Sequence, residues 1–441
     1  MDCKVKRFFN DMYNMTKTIL RLMSVAIMLG YMVSCTESDP EIEPPVIDDP
    51  EEVVDTEDPK DTDETDDSQE PVGMAFDLSA EEAANCYIVQ APGKYKFMAD
   101  NQFNLGEGLP VPPVINPAGI KLVWQTVPGS ISSVELTEEN GKIFVVFDVE
   151  KAEGNAVIAV LDEEGEIEWS WHIWMPLEEV GFVTDSDGNQ IMNLNLGALN
   201  NTPGAPASYG TLYQWGRKDP FPAAGTLTGT TTTVSANMYD INGKPVTIKN
   251  SSWTSVADNT LDYSRANPTI CISNMAQYEV SRDWLRADVA DDTLWGSHSG
   301  LKTCYDPCPP GWKVPHAGIF AGFIVGGTFA MDVDDFNIAD INSDGVCDIN
   351  DYQYGWHFII DDSNSLYFPA AARFDGQYAM LMGSVSGIWG NYWSCMPGSR
   401  MAGGANCALA FQVVDEDVMT LSTSAEASRA DAYSIRPVRS H

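Results

Sequence analysis

Residues 155–175, NAVIAVLDEEGEIEWSWHIWM, alternate apolar and polar side chains on either side of a polar turn at Glu163, Glu164 and Gly165. Successive side chains of an extended strand point to opposite faces, so this run, turn and run predicts an antiparallel hairpin. The segment 141–150, GKIFVVFDVE, carries the same alternation just upstream. In the last strand Ile167, Trp169, Trp171 and Ile173 share one face, while His172 and Trp174 point the other way. A sugar-stacking strip is the functional reading of these aromatics, and core packing is the one favoured here. Strands at this spacing predict a small antiparallel β-sandwich over residues 74–180.

The N-terminus fixes where such a fold would work. Lys4, Lys6, Arg7, Lys17 and Arg21 precede an apolar run from Leu22 to Val33 that is too short to span a bilayer comfortably. Residues 1–34 therefore read as a secretory signal. It ends in MVSC, which resembles a bacterial lipobox with Ser34 before Cys35, the thiol that would take lipid; Met32 stands where leucine is usual. An ordinary signal peptide or a membrane anchor is the other reading. Residues 35–73 are almost all Asp, Glu, Pro and Thr, with Lys60 as the single cation after Cys35. A segment so charged and so poor in apolar groups is expected to be an extended, solvated tether. Cys35 followed by Glu37 and Asp39 also resembles the acidic export signal of surface lipoproteins in Bacteroidetes-type bacteria, with a periplasm-facing lipoprotein as the alternative. No later stretch reads as a transmembrane helix.

Across its 441 residues the chain sets 25 Lys and Arg against 64 Asp and Glu, a net charge of -39. That balance argues against nucleic acid and anionic membrane surfaces as partners, since both would be repelled. Of nine cysteines, Cys3 leaves with the signal and Cys35 would carry lipid. Export permits disulfides, so the close pairs Cys304 with Cys308 and Cys395 with Cys407 are the candidates; the odd remainder leaves at least one thiol free. Zinc is not expected, because CYDPC lacks a second pair of soft ligands and the five histidines form no cluster.

The second part opens at residue 181 with a hairpin turn at Asp187, Gly188 and Asn189. LYQWGRKDPF (212–221), CPPGWKVP (308–315), LYFPAAARFDG (366–376), NYWSC (391–395) and AYSIRPVR (432–439) then follow in order. In that order they resemble the Fibrobacter succinogenes major paralogous domain family, over roughly 181–441. ANCYIVQAPGKYKF (84–97) and IEWSWHIW (167–174) are similar to the sandwich that often precedes this domain in Bacteroidetes surface and fimbria-associated lipoproteins. The chain departs from the family pattern at Asn193 and Leu194, where an Asp-Arg pair is usual, and at Cys395, where serine is usual. The resemblance implies a C-type-lectin-like fold for this part. The whole would then be α+β and β-rich, an N-terminal antiparallel β-sandwich followed by a C-type-lectin-like domain, with an insertion around 331–355.

That insertion contains DINSDGVCDIND, residues 340–351. Calcium takes several hard oxygen ligands on a sharply turning loop, which explains oxygen-bearing groups at alternate positions and a glycine at the turn. Asp340, Asn342, Asp344, Asp348 and Asp351 would supply side-chain oxygens and Val346 a carbonyl. The spacing is closest to a dockerin-type loop, although a dockerin has two such loops and only one is found here. The other reading is a polar turn in an acidic chain.

Known chemistries of the implied fold are not matched. Neither Glu-Pro-Asn nor Gln-Pro-Asp occurs with the Trp-Asn-Asp of sugar-binding C-type lectins, and WGNYW lacks the second carboxylate. No Ser-His-Asp order, HExxH or phosphate-binding glycine loop stands out. The expectation is thus an outer-membrane lipoprotein facing the cell exterior, a non-catalytic adhesion or binding module with a surface protein or glycan as partner and a possible fimbrial link. A glycan-binding accessory to a polysaccharide-using system is the second reading. A formylglycine-generating-type enzyme, using Cys395 and Cys407, is the third.

Overall fold

A computed structural model describes residues 75–100, 109–225, 236–297, 300–415 and 418–440. The first part contributes β1 (Phe76–Asp77), β2 (Cys86–Ile88), β3 (Gly93–Met98), β4 (Gly119–Gln125), β5 (Ile131–Glu139), β6 (Lys142–Val149), β7 (Gly154–Leu161) and β8 (Ile167–Met175). The expected hairpin is β7 with β8, antiparallel from Gly154↔Met175 to Leu161↔Ile167. One sheet runs β1-β3-β6-β5, and the other contains β4-β7-β8-β2. Phe97 of the first sheet meets Trp171 of the second at 5.2 Å between ring centroids, and Phe147, Ile158 and Trp169 are buried in the same cluster. The aromatic strip is core.

The strands of the second part are β9 (Phe182–Thr184), β10 (Gln190–Met192), β11 (Thr211–Gln214), β12 (Phe221–Pro222), β13 (Met238–Tyr239), β14 (Pro245–Val246), β15 (Lys249–Asn250) and β16 (Ile270–Cys271). They continue with β17 (Trp312–Lys313), β18 (Phe329–Ala330), β19 (Gly355–Ile359), β20 (Ser365–Pro369), β21 (Phe374–Asp375) and β22 (Met380–Leu381). The last are β23 (Trp389–Pro397), β24 (Gly404–Asp415), β25 (Val418–Ser422), β26 (Glu426–Ser428), β27 (Ala432–Tyr433) and β28 (Val438–Arg439). The hairpin turn at Asp187 to Asn189 joins β9 to β10, with Gly188 at φ +89°, a left-handed conformation that glycine adopts without a Cβ penalty. β28 lies between β17 and β10, so the last strand returns to the first hairpin of this part. Residues 331–354 join β18 to β19 through two single 3-10 turns, Val333–Asp335 and Ile349–Asp351.

Two features differ from the sequence reading. The boundary at residue 180 does not separate two cores, since β13 and β14 extend the sandwich sheet to the order β14-β13-β4-β7-β8-β2. The described residues all belong to one compact unit, Gln69–His441. β8 is also buried on both faces rather than one, because the second part packs on its outer side. There His172 Nε2 lies 2.8 Å from Asn155 Oδ1, Trp174 Nε1 donates to Ala198 O at 2.7 Å, and Lys218 Nζ donates to Ser170 O at 3.0 Å. Burial holds the His172 pKa down, to about 3, so the imidazole is neutral and serves as a packing and hydrogen-bonding group. Lys218 and Asp219 form a buried pair at 2.7 Å, joined by Ser170 Oγ, which donates to Asp219 Oδ1 at 2.6 Å.

The recurring blocks of the second part pack on one another. Trp215 Nε1 donates to Ser394 O at 2.9 Å, Trp393 Nε1 to Tyr213 O at 2.7 Å, and Trp393 stacks near Tyr433 at 4.5 Å. Trp312 pairs in register with Arg439, whose guanidinium sits 4.3 Å from the indole centroid. Gly216 has φ +85°, and a Cβ there would lie 2.6 Å from a methyl of Leu294, which explains the glycine after Trp215 on two counts. Arg436, 0% exposed, ties three segments together. Its Nε donates to Asn195 Oδ1 at 2.9 Å, NH1 to Asn193 O at 2.8 Å, and NH2 to Tyr367 O at 2.7 Å. The Asn193 side chain closes the 181–193 loop by accepting Gly181 N at 2.9 Å, and Leu194 is fully buried.

Candidate functional site

A cleft of about 510 Å3 opens between two hairpins, β13–β14 at the end of the sandwich sheet and β21–β22 at the end of the sheet β12-β11-β27-β21-β22. Tyr239 and Val246 line it from one hairpin, Met380 and Leu381 from the other. Ile248 packs against the core clusters on both sides, and Phe374 is buried at the cleft. Asn237, Thr247 and Asn250 supply polar side chains. None of the described lining residues is Asp, Glu, Lys or Arg, although the chain as a whole carries 64 acidic residues.

Local hydrogen bonds set the rim. Asp375 Oδ1 accepts the amides of Gln377 (3.0 Å) and Tyr378 (3.1 Å), an Asx-type turn that fixes Tyr378 just before Ala379 of the lining. Behind it Arg373 bridges Asp375 at 3.6 Å and Asp431 at 3.5 Å, while Asp431 Oδ1 accepts Gly376 N at 2.7 Å. Burial raises the Asp431 pKa, against the nearby Arg373, which lowers it. Across the rim Asn250 is held by its parallel pairing with Cys271, and its Nδ2 donates to Tyr378 O at 3.3 Å. Three residues on, Trp253 meets Tyr378 edge to face at 6.1 Å. Trp253 is 43% exposed and Tyr378 40%, unlike the fully buried Trp169, Trp215 and Trp393. Large aromatics left in water beside a concave surface with a few polar groups are a common setting for ligand recognition.

Trp253 and Tyr378 escaped the sequence reading because neither lies on an alternating run. The available signal was their setting: NSSWTSVADN and FDGQYAML place one large aromatic among turn-forming residues, where no core face claims it.

The loop 340–351 folds on its own polar groups. Asp340 Oδ2 accepts Gly345 N (2.8 Å), Asn342 Oδ1 accepts Asp344 N (2.8 Å), Asp344 Oδ1 accepts Val346 N (2.9 Å), and Asp348 Oδ1 accepts Asn350 N (2.7 Å). Gly345 makes the sharp turn at φ +89°. Asp351, 1% exposed, takes Ile341 N at 2.8 Å on one oxygen and Asp348 N at 3.0 Å on the other, so it organises the loop through both oxygens. Among the described residues no three His, Cys, Asp or Glu side chains are drawn together as a metal centre. One atom does fit a cation: Asp340 Oδ1 is buried without a hydrogen-bond partner, and the neighbouring donors are hard oxygens.

Neither expected disulfide is present: Cys304, Cys308, Cys395 and Cys407 are free, buried thiols. Hydrogen bonds close the 304–308 turn instead. Asp306 accepts Cys308 N at 2.8 Å and Val314 N at 3.0 Å, and Asn85 Nδ2 donates to Cys304 O at 2.7 Å, while Cys304 Sγ points to Pro110 O at 3.5 Å. On the β23–β24 ladder Cys407 faces Trp393, and the pairing is irregular around Cys395. Burial pushes the Cys304 and Cys395 thiols up to about 12, as expected of unreactive buried sulfur. Cys35 and the acidic segment 35–73 lie outside the described residues. Comparison of the chain with family models, curated proteins and solved structures gives no match in any of the three.

Proposed function

We propose that the chain is an outer-membrane lipoprotein of the major-paralogous-domain type, anchored through lipid on Cys35 and displayed outward on its acidic tether as a non-catalytic binding module. The observation that carries the binding role is the cleft between β13–β14 and β21–β22, with Trp253 and Tyr378 exposed beside its lining residue Asn250. Its walls are apolar side chains, amides, a hydroxyl and a phenol, groups that hold a ligand rather than move protons at neutral pH. Calcium bound at 340–351 would stiffen the insertion, away from the lining residues. No helix among the described residues is long and apolar enough to cross a membrane.

A second reading, assembly with fimbrial or other subunits, is favoured by β5, whose nine residues end their sheet and pair only with β6. Its irregular start at Ile131/Ser133 and its acidic Glu135, Glu138 and Glu139 guard that edge against an acidic strand.

Fractionation tests the anchor. Cys35→Ala should move the protein from the membrane pellet to the soluble fraction, and a variant that still floats with membranes would remove lipid on Cys35 from the account.

A further inference from the structure

Resting on that binding role, we infer that the cleft takes an uncharged glycan, stacked on Trp253 and Tyr378 and hydrogen-bonded by Asn237 and Asn250. Charge is the first argument. In a chain of net charge -39, a ligand site for a cation would have carboxylates within reach, and a site for an anion would need lysine or arginine to offset the surrounding field. The described lining has neither, so it suits a ligand without charge.

Amphipathic chemistry is the second. A pyranose ring presents a patch of C–H bonds on its face and hydroxyl groups around its rim. The site has the complement of both: half-exposed indole and phenol rings next to the lining residues Asn250 and Ala379, and amide and hydroxyl groups along the walls. Each amide both donates and accepts, which suits hydroxyl groups that do the same. A lipid chain would leave these amides unpaired, at the cost of burying them dry.

The third argument is position. The Asp375 turn takes the Tyr378 amide, the Tyr378 carbonyl accepts from Asn250 Nδ2, and Trp253 meets the Tyr378 ring, so both aromatics stand beside the lining residues Asn250 and Ala379. The rings meet edge to face, and each keeps roughly two fifths of its surface in water: 43% for Trp253 and 40% for Tyr378.

The test titrates the full-length protein in detergent by calorimetry, using neutral oligosaccharides of glucose, mannose, xylose or galactose, their sulfated forms, and uncharged peptides. At least one neutral oligosaccharide should bind, its sulfated form more weakly. Trp253→Ala should lose affinity roughly tenfold, as expected for one lost aromatic contact, while Trp253→Phe retains most of it. An unchanged melting temperature in both variants excludes unfolding as the cause. Saccharide binding that ignores Trp253→Ala would overturn the inference. Peptide binding that depends on Trp253, without saccharide binding, would overturn the glycan but keep the binding role. If neither class of probe binds, both fall.

Discussion

Replacing Arg436 with methionine is expected to destabilise the folded unit by about 3–5 kcal/mol, since each buried acceptor left without a donor costs about 1–3 kcal/mol. The guanidinium is fully buried and is satisfied by main-chain carbonyls and an amide rather than by a carboxylate. Burial is the largest influence on its pKa and lowers it to about 10, so it stays cationic at neutral pH. Methionine fills much of the volume but leaves Asn195 Oδ1 and the carbonyls of Asn193 and Tyr367 buried without donors. Lysine should fail as well, because one ammonium cannot reach three separated acceptors in the plane of a fork. The check is the midpoint of denaturant unfolding, with Arg286→Met as the control. Arg286 pairs with Asp288 at 2.6 Å, but at the surface, where water and salt screen the pair, so its loss should leave the midpoint nearly unchanged. Equal midpoints for the two variants would show that Arg436 is not the joint described here.

Calcium added to chelator-treated protein is expected to raise the melting temperature, with a stabilisation of about 2.7 kcal/mol once the ion is a hundredfold above its dissociation constant. The reason is the buried, unpartnered Asp340 Oδ1 on a short loop that also carries Asp344, Asp348 and Asp351. Asp340→Ala should abolish the response, and magnesium should substitute poorly because it demands a tighter, more regular shell. Calorimetric titration decides the matter. A melting temperature that is the same with calcium as with chelator would leave 340–351 as a self-bonded acidic turn.

How far the sequence was legible follows from the length of its patterns. The alternation of 155–175 was long enough to define β7, its turn and β8, and the same holds for the hairpin at Asp187 to Asn189. What alternation could not reveal was the second layer on the outer face of β8, where His172 Nδ1 lies 3.3 Å from Tyr213 Oη and Trp174 donates to Ala198 O, both groups of the second part. The blocks of the second part were visible as blocks, but their role was not. Arg436 and Trp393 bind main-chain carbonyls, and no residue type in the sequence marks a carbonyl. The cysteine pairs were misjudged because proximity in sequence was taken for closure, whereas Asp306 and Asn85 close the turn with hydrogen bonds. The cleft was invisible for a related reason: its walls are two-residue strands from 238–246 and 374–381, too short to carry any period.

Surface display and binding through the cleft meet in one measurement, the rate at which a membrane-impermeant maleimide labels Met380→Cys, at an exposed position of the cleft wall, on intact cells. Cys347, the one exposed free cysteine among the described residues, is first changed to serine. The account predicts labelling of intact cells at the rate seen in broken cells, slowed when the neutral oligosaccharide that binds in titration is present. Labelling that appears only after the envelope is broken, or that no probe slows, would contradict it.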